Sequence, residues 1–342
     1  MAIRKEKDFD LSAMNTFGMK VRCACFVEYD SEADLRTLDM EELPHPVLHI
    51  GAGSNLLFTG DFPGTVLHSK ICFVKYVDLG LDDVYMAVGA GVLFDDFCAK
   101  ACEAGYWGAE NLSGIPGEVG AAAVQNVGAY GAEVKDIIAG VVCYDTSNGT
   151  KVTFKAPECG YGYRDSRFKG ADKGRYVVTS VLFHLTRKYS PRLEYKGLRE
   201  AFGDDAPETP QEVREVILGI RAEKLPDPRV MGSAGSFFKN PVVDESKFLE
   251  IAAVSRAEGT GSVPHFDLGG RSVKIPAAWL IDRCGLKGAA AGGAAVYDRQ
   301  PLVIVNRSGD AAPGDILSLE SMICEAVNNK FGVLLEPEVE HI

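Results

Sequence analysis

The chain has 342 residues, enough for two or three domains with cores of their own, and its apolar and charged fractions are those of an ordinary soluble globular protein. A net charge of -12 with no basic run argues against a nucleic-acid surface, although an anionic small molecule would need only a local cation. The first residues, MAIRKEKDFDLSAM, are charged and lack an apolar core, so no secretory signal is expected. No apolar run is long enough to span a bilayer.

In chain order, Pro46 to Ile50 predicts a short strand running into Gly51-Ala52-Gly53-Ser54-Asn55. A strand followed by a glycine turn can present backbone amides to a phosphate, but an ordinary β-turn fits as well. Leu56 stands where a dinucleotide fingerprint needs its last glycine, so a Rossmann unit is not supported. Val84 to Val88 predicts a second strand. After it, Phe94, Phe97, Cys98 and Ala101 recur at helical spacing, with Gly105 as the stop. Val141–Tyr144 and Lys151–Phe154 predict a hairpin around Ser147-Asn148-Gly149, and Arg175–Leu185 a long strand.

The composition of residues 203–210 marks a linker. Beyond it Val213, Ile217 and Ile220 share one face of a helix that must stop before Pro226. Ala277–Cys284 predicts a second helix, ended by Gly285. Pro313 opens a third, with Ile316, Leu319, Ile323 and Val327 as its buried stripe. Leu302–Val305 and Val333–Leu335 predict strands. Helices and strands mix without a strict βαβ rhythm, which predicts an α+β fold.

The stretch Gly114 to Gly131, GIPGEVGAAAVQNVGAYG, contains five glycines, four alanines and no Lys or Arg. Ordering so many small residues is costly. Close approach of a ligand to the backbone would offset that cost, and so would tight packing of a helix or turn against a sheet. Tyr161 to Ser166 puts two phenols, a fixed cation and a carboxylate in one loop, suited to an enolate or a carboxylate, or simply to a surface ion pair. Ser236 stands between Gly235 and Phe237-Phe238. A water-poor setting there would make its hydroxyl a useful proton donor, whereas a cap or edge-strand hydroxyl is the plainer alternative. Glu336-Pro337-Glu338 offers two carboxylates; one facing a cleft would suit acid–base work, whereas a solvated terminal turn is the more common outcome. The nine cysteines are odd in number, and no CxxC occurs. Cys98 and Cys102 have no second pair to complete a zinc site, so free thiols in a reducing cytoplasm are expected. The six histidines show no metal-ligand spacing, and no metal is expected.

Seven stretches, in order, resemble the UDP-N-acetylenolpyruvoylglucosamine reductase family, type I branch. They are Asn15-Thr16-Phe17-Gly18; Gly51 to Leu57; Ile115-Pro116-Gly117 with Gln125 to Gly131; Tyr163-Arg164-Asp165-Ser166; Lys224-Leu225-Pro226-Asp227-Pro228; Ala234 to Pro241; and Leu335 to Val339. The resemblance implies an FAD-binding domain of two α+β subdomains, residues 1–70 and 71–205, with 331–342 returning to the active site. A C-terminal α+β substrate-binding domain would span 210–330. It implies non-covalent FAD, NADPH as co-substrate, and UDP-N-acetylglucosamine enolpyruvate as substrate, in a cytoplasmic monomer that binds neither nucleic acid nor membrane. Gly51, Ala52, Gly53, Ser54, Asn55, Ile115, Pro116, Gly117, Gly120, Ala121, Gln125, Asn126, Gly128 and Arg221 would hold the FAD. Tyr130, Tyr163, Tyr195, Lys224, Asn240 and Gln300 would hold the substrate. Arg164 and Glu338 would stabilise an enolate, and Ser236 would protonate it. An FAD-dependent oxidase or dehydrogenase of the same fold, acting on another substrate, is the alternative reading.

Overall fold

The computed structural model describes residues 3–78, 80 and 82–342. The chain divides into two compact units, each assembled from separated segments.

The first unit comprises Met1–Asp10, Arg22–Gly53 and Phe62–Ala222 and is built around a four-stranded and a five-stranded sheet. In the four-stranded sheet, Arg4–Asp10 runs antiparallel to Arg22–Tyr29. Phe62–Ser69 and then Val47–Ile50 continue it in parallel. The five-stranded sheet is antiparallel throughout, in the order Thr150–Lys155, Ile138–Asp145, Tyr176–Thr186, Asp83–Gly89, Val74–Asp78. Its first two strands form the hairpin expected from Asn148-Gly149, with Gly149 at φ +71°.

Against this sheet lies the helix Phe94–Glu103, which buries Phe94, Phe97, Cys98 and Ala101, the stripe expected from their spacing. The Phe97 and Phe183 rings stack at 4.0 Å. A seven-residue helix, Val119–Gln125, occupies the middle of the glycine-rich stretch and packs on the same core through Val119, Ala122 and Ala123. The helices Lys196–Phe202 and Pro210–Lys224 bury Leu198, Val213 and Ile217 around Trp107, so the 203–210 stretch joins two helices of one unit.

The second unit comprises Leu11–Val21, Ser54–Asp61 and Glu223–Ile342. Its main sheet is antiparallel, in the order Gly232–Ser236, Val303–Asn306, Ala294–Val296, Ala290–Ala291. A second sheet pairs Val242–Asp244, Ser272–Lys274 and Phe266–Asp267. The helix Pro313–Phe331 buries Ile316, Leu319, Ile323 and Val327 and stops at Gly332 with φ +63°. The Asn15-Thr16-Phe17-Gly18 loop braces the Gly232–Ser236 strand. Ser233 N–H donates to Thr16 O at 2.9 Å, and Asn306 Nδ2 donates to Phe17 O at 3.0 Å. A Cβ at Gly232 would lie 2.3 Å from Phe17 O, so this strand position admits only glycine.

One expected strand does not form. Val333 to Leu335 alternates buried, exposed, buried, but joins no strand ladder among the described residues. The chain makes ladder contacts only later, through a bridge between Phe238 and Pro337 and a parallel pair of Glu340–His341 with Leu56–Leu57. Alternation reports burial, and a ladder needs a partner as well.

Candidate active site

Within the first unit, the glycine-rich stretch gathers most of the residues singled out in the sequence. It is tethered at its start: Gly114 N–H donates to Asp95 Oδ1 at 2.5 Å, and Asp95 also takes both guanidinium nitrogens of Arg214. Burial would raise the Asp95 carboxyl, but the Arg214 and Gly114 hydrogen bonds outweigh it and hold the group below its ordinary value. The chain then enters the short helix. A Cβ at Gly120 would sit 2.9 Å from the Ala90 Cβ, and one at Gly51 3.1 Å from the Ala121 Cβ. Tight packing therefore accounts for these two glycines. Ile115, Pro116 and Gly117 form the loop before the helix, and Gly117 O accepts from Phe94 N–H.

Gln125 closes the helix, and Asn126 ends it in the left-handed region at φ +48°. Gly128-Ala129 pairs with Ala132-Glu133, and Tyr130 at their turn is also left-handed. The Tyr130 ring meets Tyr195 edge-on at 5.2 Å. Arg164, at φ +54°, reaches the same stretch: Nη2 donates to Gly128 O at 2.6 Å and Nη1 to Asn126 O at 3.4 Å. Its guanidinium lies 5.3 Å from the Tyr163 ring centroid. Bulky residues in the left-handed region are costly, and such positions concentrate at functional sites.

In the second unit, Ser236 and Glu338 lie on neighbouring segments. Glu338 N–H donates to Phe237 O at 2.8 Å, and Asn55 Nδ2 donates to Glu338 O at 3.0 Å. Phe237 and Phe238 are fully buried, yet Ser236 is exposed rather than enclosed in an apolar setting. Its orientation comes from a bulge. Ser233 pairs with Val305 and Ser236 with Val303, so the outer strand carries one extra residue, and Gly235 takes φ +71°. An extra residue re-aims the side chains after it, and bulges serve that purpose beside active sites. Asn240 Oδ1 accepts from Ala277 N–H at 2.9 Å, at the start of the helix Ala277–Arg283. Gln300 has a buried Oε1 with no partner, and Lys224 is exposed at the end of its helix. Gly51, Ala52 and Gly53 belong to the first unit, and Ser54 and Asn55 to the second.

Several contributors gave no sequence signal. Asn111 is buried and donates from Nδ2 to Tyr130 O and Arg192 O, supporting the turn that carries Tyr130. His68, which has no ligand spacing, is buried between Glu28 Oε1 at 3.1 Å and Glu118 Oε1 at 2.9 Å. Glu28 and His68 are register partners in the parallel ladder, a pairing that no local pattern announces.

The residues present fit an anionic cofactor. Burial pushes the Arg221 guanidinium below its ordinary value, and among the described residues no carboxylate pairs with it directly, since Asp95 is committed to Arg214 and Gly114. The Ser113 hydroxyl beside Gly114 is fully buried with no partner. A half-buried cation and an orphaned hydroxyl bordering a glycine loop suit a phosphate-bearing group.

Comparison with known proteins defines the class first: residues 23–155 match the FAD binding domain family. Residues 227–342 match the family described as UDP-N-acetylenolpyruvoylglucosamine reductase, C-terminal domain. A curated UDP-N-acetylenolpyruvoylglucosamine reductase of Bacteroides fragilis (strain YCH46) is 46% identical over 338 residues, covering 98% of this chain and 100% of that protein. One from Chromobacterium violaceum is 44% identical, with 99% of each chain covered. The crystal structure of the Thermus caldophilus enzyme superposes with a TM-score of 0.68 at 26% identity, covering 100% of this chain and 99% of that one. The chain belongs to the UDP-N-acetylenolpyruvoylglucosamine reductase family. The α+β architecture expected from the sequence is the one observed, and the alternative oxidase reading is not favoured. Among the described residues, no helix is long and apolar enough to cross a membrane.

Proposed function

We propose that this chain reduces UDP-N-acetylglucosamine enolpyruvate to UDP-N-acetylmuramate with NADPH and non-covalent FAD, for peptidoglycan precursor synthesis. The observation that carries this reading is the similarity to reductases of that name along the whole chain. We assign residues 1–70 and 71–205 to FAD binding and 210–330 to substrate binding, and we read the protein as a cytoplasmic monomer.

When bound, FAD supplies the two-electron relay from NADPH to the terminal carbon of the enolpyruvyl group. The protein's own residues handle the charge and the proton. Electron density gained by the substrate collects on its carboxylate side, where the planar, permanently charged Arg164 offers two parallel donors. Glu338 is assigned with Arg164 to stabilising the enolate that results. Ser236 gives its hydroxyl proton to the adjacent carbon, and delivery from one face sets a single stereochemistry. Its bulged strand and the two buried rings after it fix the backbone from which it points. Tyr130, Tyr163, Tyr195, Lys224, Asn240 and Gln300 bind the UDP-sugar, with Lys224 as the cation for its diphosphate. Gly51 to Asn55, Ile115 to Gly117, Gly120, Ala121, Gln125, Asn126, Gly128 and Arg221 hold the cofactor.

The test is anaerobic bleaching of the bound flavin with NADPH, followed by addition of the enolpyruvyl sugar. Return of the yellow colour with stoichiometric UDP-N-acetylmuramate is expected. Colour that returns only with oxygen would overturn the substrate assignment.

A further inference from the structure

We propose that Asn126 is a positioning residue for Arg164, working through the four-residue turn that carries the arginine; this rests on the role given to Arg164 above. Asn126 is fully buried, and its side-chain amide serves protein partners on both sides. Nδ2 donates to Gly162 O at 2.7 Å and to Glu133 Oε2 at 3.2 Å, while Oδ1 accepts from Lys135 N–H at 3.1 Å. Gly162 opens the turn: its N–H donates to Asp165 O at 3.0 Å and its carbonyl accepts from Asp165 N–H at 3.3 Å. Arg164 lies inside that turn in the left-handed region, which a long side chain adopts only when its surroundings impose it. Two further bonds complete the clamp. Ser166 Oγ donates to Val124 O at 2.5 Å, and Arg164 Nη1 returns to the carbonyl of Asn126 itself.

Asparagine suits this position on two counts. It tolerates φ +48°, and it brings two donors and an acceptor to a place where a carbonyl, a carboxylate and an N–H converge. The side-chain amide thus holds the arginine's turn, and any contact of Asn126 with FAD falls to its main chain. Releasing the turn lets the guanidinium swing away from the reacting carboxylate, and small misplacements of that kind are costly to rate.

Two variants test the inference in the holoenzyme. Asn126→Gly keeps the left-handed backbone and removes the clamp. Asn126→Asp keeps shape and backbone preference but sets a carboxylate against the Gly162 carbonyl and Glu133. Flavin content is measured by fluorescence after filtration, and both half-reactions are expressed per bound flavin, so that any weakening of the cofactor site is separated from the effect on Arg164. Bleaching with NADPH is expected near the parent rate. Reoxidation by the enolpyruvyl sugar is expected to slow by about 10²-fold. Combined with Arg164→Lys, Asn126→Gly is expected to add little further slowing, because residues acting as one unit are not additive. Equal slowing of both half-reactions per bound flavin, or full multiplication in the double variant, would overturn the inference. So would parent-rate reoxidation in Asn126→Gly beside a slow Arg164→Lys. Parent-rate reoxidation in Arg164→Lys itself would remove the role of Arg164, and this inference with it.

Discussion

The main-chain N–H of Glu338 donates to the carbonyl of Phe237 at 2.8 Å, which brings the carboxylate-bearing segment beside the residue next to Ser236. Residues about a hundred positions apart are thereby held together through the backbone. This arrangement allows Ser236 to be altered without disturbing the segment that carries Glu338.

Ser236→Ala is expected to separate the two half-reactions. Bleaching by NADPH needs no proton from this hydroxyl and should keep the parent rate. Reoxidation by the enolpyruvyl sugar should slow by about 10²- to 10⁴-fold, the usual cost of removing a positioned acid. Ser236→Cys should recover part of the loss, since a thiol also donates a proton. Rapid mixing measures both steps, and equal effects on the two would remove Ser236 from the mechanism.

Arg164→Lys keeps the charge and loses the planar pair of donors. It also loses the geometry that spans the carbonyls of Gly128 and Asn126. Reoxidation is expected to slow by at least about tenfold, the loss of one charge-assisted hydrogen bond of roughly 1.5 kcal/mol. A parent rate would make Arg164 a structural residue.

Gly232→Ala probes the brace behind the Ser236 strand. The new methyl would meet Phe17 O at 2.3 Å, a backbone atom that cannot rotate away. Overpacking of this kind costs about 1–3 kcal/mol, and the displaced strand should slow the proton-transfer step as well. Gly314→Ala, in a helix and with nothing within 4 Å of the added carbon, is the control and should leave the Tm unchanged or raised. Equal Tm values for the two variants would dismiss the brace.

Asp95 carries a pH prediction. Its folded-state carboxyl is held below the ordinary range, so the Arg214 pair stabilises the fold above the unfolded-state pKa of about 3.9. That contribution is lost as pH falls through the lower folded value. Asp95→Asn should cost about 1–2 kcal/mol at pH 7, after allowing for solvent screening of the partly exposed carboxylate. The Tm gap between parent and variant should close as the pH is lowered below about 4. A gap that stays constant with pH would show that the ion pair contributes nothing.

Acid precipitation should release all the flavin into the supernatant. The two glycine stretches contain neither His nor Cys to form a covalent link, and their one phenol, Tyr130, is assigned to the substrate side. Colour retained by the precipitated chain would contradict non-covalent binding.

Much of the molecule is legible along the chain. The stripe of the helix Pro313–Phe331, the hairpin around Asn148-Gly149 and the long strand Tyr176–Thr186 follow from local periodicity and turn chemistry. The order of seven short motifs carries the family, because each is a run of adjacent residues. Tertiary structure decides what those runs are for. Gly51 and Gly120 serve close packing, and Asn126 turns inward to hold the arginine's loop. A bulge that depends on the Val303–Asn306 strand turns Ser236 out to solvent. Asp95 joins Gly114 to Arg214, and His68 finds its two carboxylates at Glu28 and Glu118. Val333 to Leu335 has the alternation of a strand and, among the described residues, forms none. Periodicity records which face of a segment is apolar. The partner that face or side chain meets is set by the packing of segments far apart in the chain, where hydrogen-bond geometry and steric exclusion act on positions that no local window contains together.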